Sequence, residues 1–183
     1  MDTSTSVDAS TVHLRGFTLA PGNLSVLEIS LRFVNVLSAA IVAGGQLTVL
    51  LVIVPVLGTF DTRLSVQVHR AMLGHQIDRF MKPLGITSLL SALVIVALGL
   101  LEAIRIPAAS LALTCVGIAG TIGVIVTSRY FNVPTNRVIA EWSLSDIPED
   151  YDRIRRRWDS VHRARASAGL LAATAYLLAG YAR

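Results

Sequence analysis

Charge is scarce in this 183-residue chain. Asp, Glu, Lys and Arg make up 15% of it, against roughly 25% in soluble domains. With 53% hydrophobic residues and a mean hydropathy of +0.62, this argues against an ordinary soluble globule and for an integral membrane protein. Cysteine is rarer still. The single Cys115 rules out an intramolecular disulfide and any C-x-x-C metal or redox pair. Inside an apolar segment it reads as a small packing residue. No Gly-rich phosphate loop, nucleophile elbow or haem-attachment motif occurs, and no inverted repeat or paired broken helix marks a transporter. A basic stretch leading into a short apolar run is missing as well, so a cleaved signal peptide is not expected.

What the sequence does have is apolar length. About 20 apolar residues cross a bilayer core as a helix. Four segments qualify, at 33–57, 84–101, 108–126 and 166–182, the last short enough to need tilt or an extension. The expected fold is an all-α integral membrane protein, a four-transmembrane-helix bundle whose last helix extends into the cytoplasm. Residues 24–183 form one transmembrane domain after a loose polar tail at 1–23. Gly117, Gly120 and Gly123 recur at every third position of the third span, where small residues let helices approach closely in lipid.

The connections are asymmetric. Residues 58–83 and 127–165 fall on one membrane side and hold twelve of the sixteen Lys and Arg residues. The positive-inside rule places that side in the cytoplasm and both termini outside, in the cytoplasmic (inner) membrane. The net charge of +4 therefore reads as topology, not as nucleic-acid binding. The run Arg155-Arg156-Arg157 reads as an anchor with some attraction to anionic lipid.

Most of the candidate chemistry sits between Tyr130 and Arg165. Two asparagines bracket a proline in Asn132-Val133-Pro134-Thr135-Asn136. The proline is expected to end the third helix, and the amides either cap freed backbone groups or aim donors into a cavity. Pro148, Glu149, Asp150 and Asp152 then mark a helix start, with acids at the positive end of the dipole. From there Tyr151, Ile154, Trp158, Val161, His162 and Arg165 share one helical face, with Arg153, Arg156, Arg157 and Arg163 opposite. His162 and Arg165 lie one turn apart at the membrane face, where an ionisable residue is a functional hypothesis by default. The alternative is that His162 caps an interfacial network while Arg165 snorkels to headgroups.

Gln46, beside Gly44 and Gly45, and Asn35 are polar groups inside the first span and need partners. Interhelical hydrogen bonding or contact with a ligand would serve Gln46. His69 and His75 are six residues apart, which argues against an i,i+4 chelate, while His75 and Asp78 can share a face. A site for copper, iron or zinc built from His69, His75, Asp78 and His162 stays open, because all four lie on one membrane side.

With these residues in view, the chain resembles the anthrone-oxygenase-like family of small four-helix membrane proteins. The resemblance rests on Asn132-Val133-Pro134-Thr135-Asn136, then Trp142, Arg157-Trp158, His162 and Arg165, with Gly44-Gly45 and Pro55 in the first span. It covers roughly residues 30–182. It implies oxidation of an anthrone-type aromatic polyketide to its quinone, a reaction of secondary metabolism, with dioxygen as co-substrate and no cofactor assigned.

The expected function is a membrane-embedded oxygenase acting on a hydrophobic, enolisable aromatic substrate. A neutral His162 removes a proton, Arg165, Asn132 and Asn136 stabilise the enolate, and Trp158, Trp142 and Gln46 contact the substrate. The expected partners are that small molecule and the lipid bilayer, with a homo-oligomer left open. Two other classes compete: a metal-dependent membrane redox enzyme using the loop histidines, and a non-enzymatic membrane assembly or binding protein.

Overall fold

A computed structural model describes residues 12–14, 17–19, 21–73 and 75–182 of the chain, and the side chains of 23–72 and 79–182. Short strands β1 (Val12–Leu14) and β2 (Phe17–Leu19) pair antiparallel, with Val12 opposite Leu19. The remainder of the polar tail expected at 1–23 lies outside the described residues, except that helix α1 (Pro21–Thr48) already begins within it. A π-helical turn (Val49–Ile53) carries α1 into α2 (Val54–Leu57). Helices α3 (Thr62–Leu73) and α4 (His75–Leu100) follow, then α5 (Ala108–Thr127). A second π-turn (Ser128–Asn132) leads into α6 (Val133–Glu141), and α7 (Tyr151–Tyr181) closes the chain.

Helix α1 packs on α4 and α7, and α5 packs on α7 and α4, which closes a bundle of four long helices. Among the described residues three stretches are long and apolar enough to cross a membrane: Asn23–Leu57, Arg79–Leu100 and Ala108–Glu141. Helix α7, the fourth span expected from sequence, is not among them, because small and polar residues dilute its apolar half. The 34-residue stretch Ala108–Glu141 is about 50 Å long, well beyond a bilayer core of about 30 Å. The surplus length is the α6 end, which projects beyond the four-helix packing and meets α3.

Pro134 does not end the third helix, contrary to the expectation from its ring and missing N–H. The chain runs on helically to Glu141. The π-turn immediately before it supplies the physical reason: widened i to i+5 bonding takes up the missing donor and eases the clash with the carbonyl four residues back. The first helix repeats the device. Each five-residue π-turn is followed by Val-Pro, at Val54-Pro55 and at Val133-Pro134.

Close packing follows the small residues. A Cβ added to Gly117 would overlap the Tyr176 ring, and one on Gly120 would meet the Ala168 carbonyl at 2.8 Å. Tyr176 reaches back to Thr121 at 3.1 Å, and Asn35 donates to the Ser88 carbonyl at 2.6 Å, joining α1 to α4. Cys115 is not a packing residue, because it faces outward and is exposed.

At the overhanging end, α3, α6 and the start of α7 form a cap around Val66, Ile139 and Tyr151. Helix α7 starts at the acidic turn as expected, with Asp150 at the N-cap position and paired to Arg153.

Candidate functional site

The inward face of α7 organises the site. Tyr151, Trp158, His162 and Arg165 are buried on it, while Arg153, Arg156, Arg157 and Arg163 are exposed on the other, so the helical spacing sorts them as expected. Trp158 packs on Val49, with Ile53 and Val54 alongside, so it sits against the first π-turn. Its indole N–H donates to Asn136 Oδ1 at 2.9 Å. His69 Nε2 lies 3.2 Å from the same oxygen. A carbonyl oxygen only accepts, so His69 carries its proton on Nε2. The imidazoles of His69 and His162 both rest against the indole, with ring centroids at 4.8 and 5.1 Å.

His162 is 2% exposed, and neither of its ring nitrogens has a hydrogen-bond partner. Burial lowers its pKa to about 3, helped by the Arg165 charge and by His69. The Gln46 backbone opposes the shift, approaching the ring without making a bond of normal geometry. Burial likewise lowers His69 to about 4, with the Asn136 hydrogen bond opposing and Arg155 adding to the effect. Both rings are therefore neutral at pH 7.

Gln46 Oε1 and Asn132 Oδ1 are also buried without a partner. Nearly all buried polar groups in folded proteins are paired. Here partnerless atoms come from α1, the second π-turn and α7, the elements that surround one end of the bundle. The interhelical bond expected of Gln46 is not made by its Oε1, which instead lies over Gly169, where an added Cβ would stand 2.6 Å away.

Beside these groups is a cavity of about 380 Å³. Its apolar walls include Val42, Met81, Ile86, Val124 and Ile125, and its polar walls are Gln46, Ser128, Lys82, Arg129, Arg137 and Arg165. Arg165 is buried and its Nη1 donates to Ser128 Oγ at 3.4 Å. A smaller void of about 20 Å³ borders Val42, Gly85 and Gly169 toward the bundle centre.

The structure thus divides the residues expected from sequence. Gln46 and Arg165 line the cavity. His162 is buried next to both, one turn from Arg165 and against the Gln46 backbone. Trp158 and Asn136 form the adjoining aromatic cluster, and Asn132 is buried on the second π-turn. Trp142 stands apart in the cap, edge-on to Tyr151 with ring centroids 6.0 Å apart.

Of the metal alternative, His69 and His162 meet at Trp158, while the side chains of His75 and Asp78 lie outside the described residues. Among the described residues no group of three His, Cys, Asp or Glu is placed to hold a metal ion. Sequence reasoning missed Lys82, Arg129 and Arg137 as a set, because their charge was absorbed by topology. The signal was available for two of them, since Arg129 and Arg137 bracket the asparagine–proline motif.

A helical bundle with three stretches of membrane-spanning length and apolarity, and a polar cluster beside an apolar cavity at one end, defines a membrane-type protein with a candidate small-molecule site. The chain belongs to the anthrone oxygenase family, whose sequence model matches residues 70–175, more than half of its length. The matched region includes His69's neighbour Arg70, the asparagine–proline motif and all of the α7 cluster, while Gln46 precedes it. No curated protein and no solved structure matches the chain.

Proposed function

We propose that the protein is a membrane-embedded oxygenase that uses dioxygen to turn a hydrophobic, enolisable aromatic ketone of the anthrone type into its quinone. The observation that carries this reading is the set of partnerless buried groups on Gln46, Asn132 and His162 beside a cavity lined by Arg165. Leaving such groups unpaired costs about 1–3 kcal/mol each, a cost that bound hydroxyl groups, donating to the two amide oxygens, would relieve. Family membership supplies the reaction class.

The chemistry follows from the arrangement. His162, held neutral, takes a proton from the methylene carbon of the bound ketone. Its low pKa makes it a reluctant base, but the enolate formed beside it favours the imidazolium. Arg165 faces the enolate oxygen, as a charged donor in a water-poor site should, and the amide oxygens of Asn132 and Gln46 orient the ring by accepting from its hydroxyl groups. The electron-rich anion passes one electron to dioxygen, the pair recombine to a peroxide anion at the same carbon, and the His162 imidazolium returns its proton to give the hydroperoxide. Loss of water, taking the remaining hydrogen on that carbon and cleaving the O–O bond, leaves the second carbonyl. Ketone plus dioxygen thus gives quinone plus water. Trp158 walls the site, and Asn136 holds Trp158 in place.

A greasy substrate explains a bilayer location. In this reading α7 completes the membrane bundle as its fourth span, the arginine-rich cap faces the cytoplasm and both chain ends lie outside. The test is oxidation of an anthrone by purified protein under isotopically labelled dioxygen. The expected product carries one labelled oxygen per quinone. Unlabelled quinone, or no quinone above the uncatalysed background, counts against the proposal.

A further inference from the structure

The cavity holds more positive charge than one enolate requires. Arg165 comes from α7, Lys82 from α4, Arg129 from the second π-turn and Arg137 from α6. No Asp or Glu among the described residues shares the cavity wall with them. Arg165 is buried, whereas Arg129 and Arg137 are exposed at the outer end, eight residues apart on one continuous helix. The site is therefore polarised: a single buried guanidinium inside, and two at the entrance. Cations collected around a low-dielectric pocket focus a positive potential and favour an anionic occupant.

The rest of the wall says what kind of anion. It is aliphatic, with Val42, Ile86, Val124 and Ile125, so the ligand is largely apolar. A volume of about 380 Å³ lies at the lower end of the range for drug-sized ligands. That suits a three-ring aromatic and is far too small for a two-chain phospholipid.

Resting on the oxygenase reading, we infer that the substrate is an acidic polycyclic aromatic, whose ring bears a carboxylate held by Arg129 and Arg137 while Arg165 faces the reacting oxygen. Guanidinium suits this task because its planar fork binds a carboxylate through two parallel hydrogen bonds. Family membership alone calls only for an enolisable aromatic. The second anionic group comes from the two entrance arginines.

The test uses full-length protein in detergent and two inert probes, anthracene-2-carboxylate and anthracene-2-carboxamide, titrated by calorimetry. Neither has an enolisable position, so binding is read apart from turnover. The acid is expected to bind at least about tenfold tighter than the amide. The preference should vanish in the double variant Arg129→Gln/Arg137→Gln and persist in Arg129→Lys/Arg137→Lys, which keeps the charge and controls for folding. Equal binding of acid and amide by the wild type overturns the inference, and so does a preference that survives the double glutamine variant.

Repeating the titration in phosphatidylcholine and in phosphatidylglycerol nanodiscs separates a lipid role. Abolition of the preference by phosphatidylglycerol assigns the arginines to headgroups and overturns the inference. Anthrone turnover, measured separately, distinguishes the two readings. Turnover without acid preference sinks only the carboxylate site. Acid preference without turnover sinks the reaction and leaves the anion site standing.

Discussion

Asn136 and Trp158 are joined by a 2.9 Å hydrogen bond from the indole N–H to the amide oxygen, which ties the overhang of the third helix to α7. The same oxygen lies 3.2 Å from His69 Nε2. One amide therefore fixes an indole and an imidazole, and that indole in turn supports His162. Asn136 is best understood as a positioning residue for the α7 face.

Asn136→Ala should leave two N–H donors without a partner in the cap. The expected loss is about 2 kcal/mol of stability, seen as a lower unfolding temperature in detergent, with a red shift of tryptophan fluorescence as the indole loosens. Unchanged unfolding and emission would show that the amide bridges nothing of consequence.

The two buried imidazoles make the fold sensitive to acid. Their pKa values are lowered from 6.5 to about 4 for His69 and about 3 for His162, so the unfolded chain binds more protons than the folded one in the range between. Stability should be flat above pH 7 and fall as pH drops from about 6.5 toward 4, by up to about 3 kcal/mol for His69 alone. Unfolding midpoints measured across pH 4–8 check this. The slope should shrink in His69→Gln, and a slope that is the same with and without His69 would contradict the assignment.

Gly117 lies under the Tyr176 ring, where a methyl group has no room. Gly117→Ala should cost about 1–3 kcal/mol through overpacking between α5 and α7. Adding Tyr176→Leu should recover part of the loss in a double-variant cycle. Additive effects would mean the two residues do not meet.

The two Val-Pro steps explain how irregular backbone reaches the site. Pro134→Ala restores a backbone donor and lets the second π-turn relax toward regular α-helix, which rotates Ser128 and Arg129 against α7. Stability should hold or rise, while anthrone turnover should fall by about tenfold or more through misplacement. Turnover equal to the wild type would show that the π-turn is incidental to the site.

Much of this was legible from residue types and spacing. The apolar segments marked three of the four long helices within a few residues at the ends remote from the cap, Leu100, Ala108 and Tyr181. The three-and-four spacing from Tyr151 to Arg165 sorted the buried and exposed faces of α7. The continuation past Pro134 was not legible, because the compensating π-turn at Ser128–Asn132 leaves no composition signal. The division of labour between the two asparagines was hidden for the same reason, since it depends on which face of the continued helix each one occupies. His69 could not be placed from sequence either, because α3 packs on α6 only through long-range contacts. Trp142 shows the opposite error, where an aromatic near the motif in sequence belongs to the cap in space.

Arg165 is the buried cation of the cavity, and its loss should be felt in rate more than in folding. Arg165→Gln should lower anthrone turnover by about 100-fold while the bundle still purifies as folded protein. A variant with full activity would remove the guanidinium from the mechanism.

In the proposed reaction the α7 face beside the cavity is the oxygenase centre and His162 is its base. The most direct measurement follows dioxygen uptake and quinone absorbance together, with an anthrone as substrate, for purified wild type and His162→Ala. The wild type should consume one dioxygen per quinone formed, and the variant should be slower by at least about 100-fold. Equal rates in the two proteins, or a wild type no faster than buffer, would contradict it.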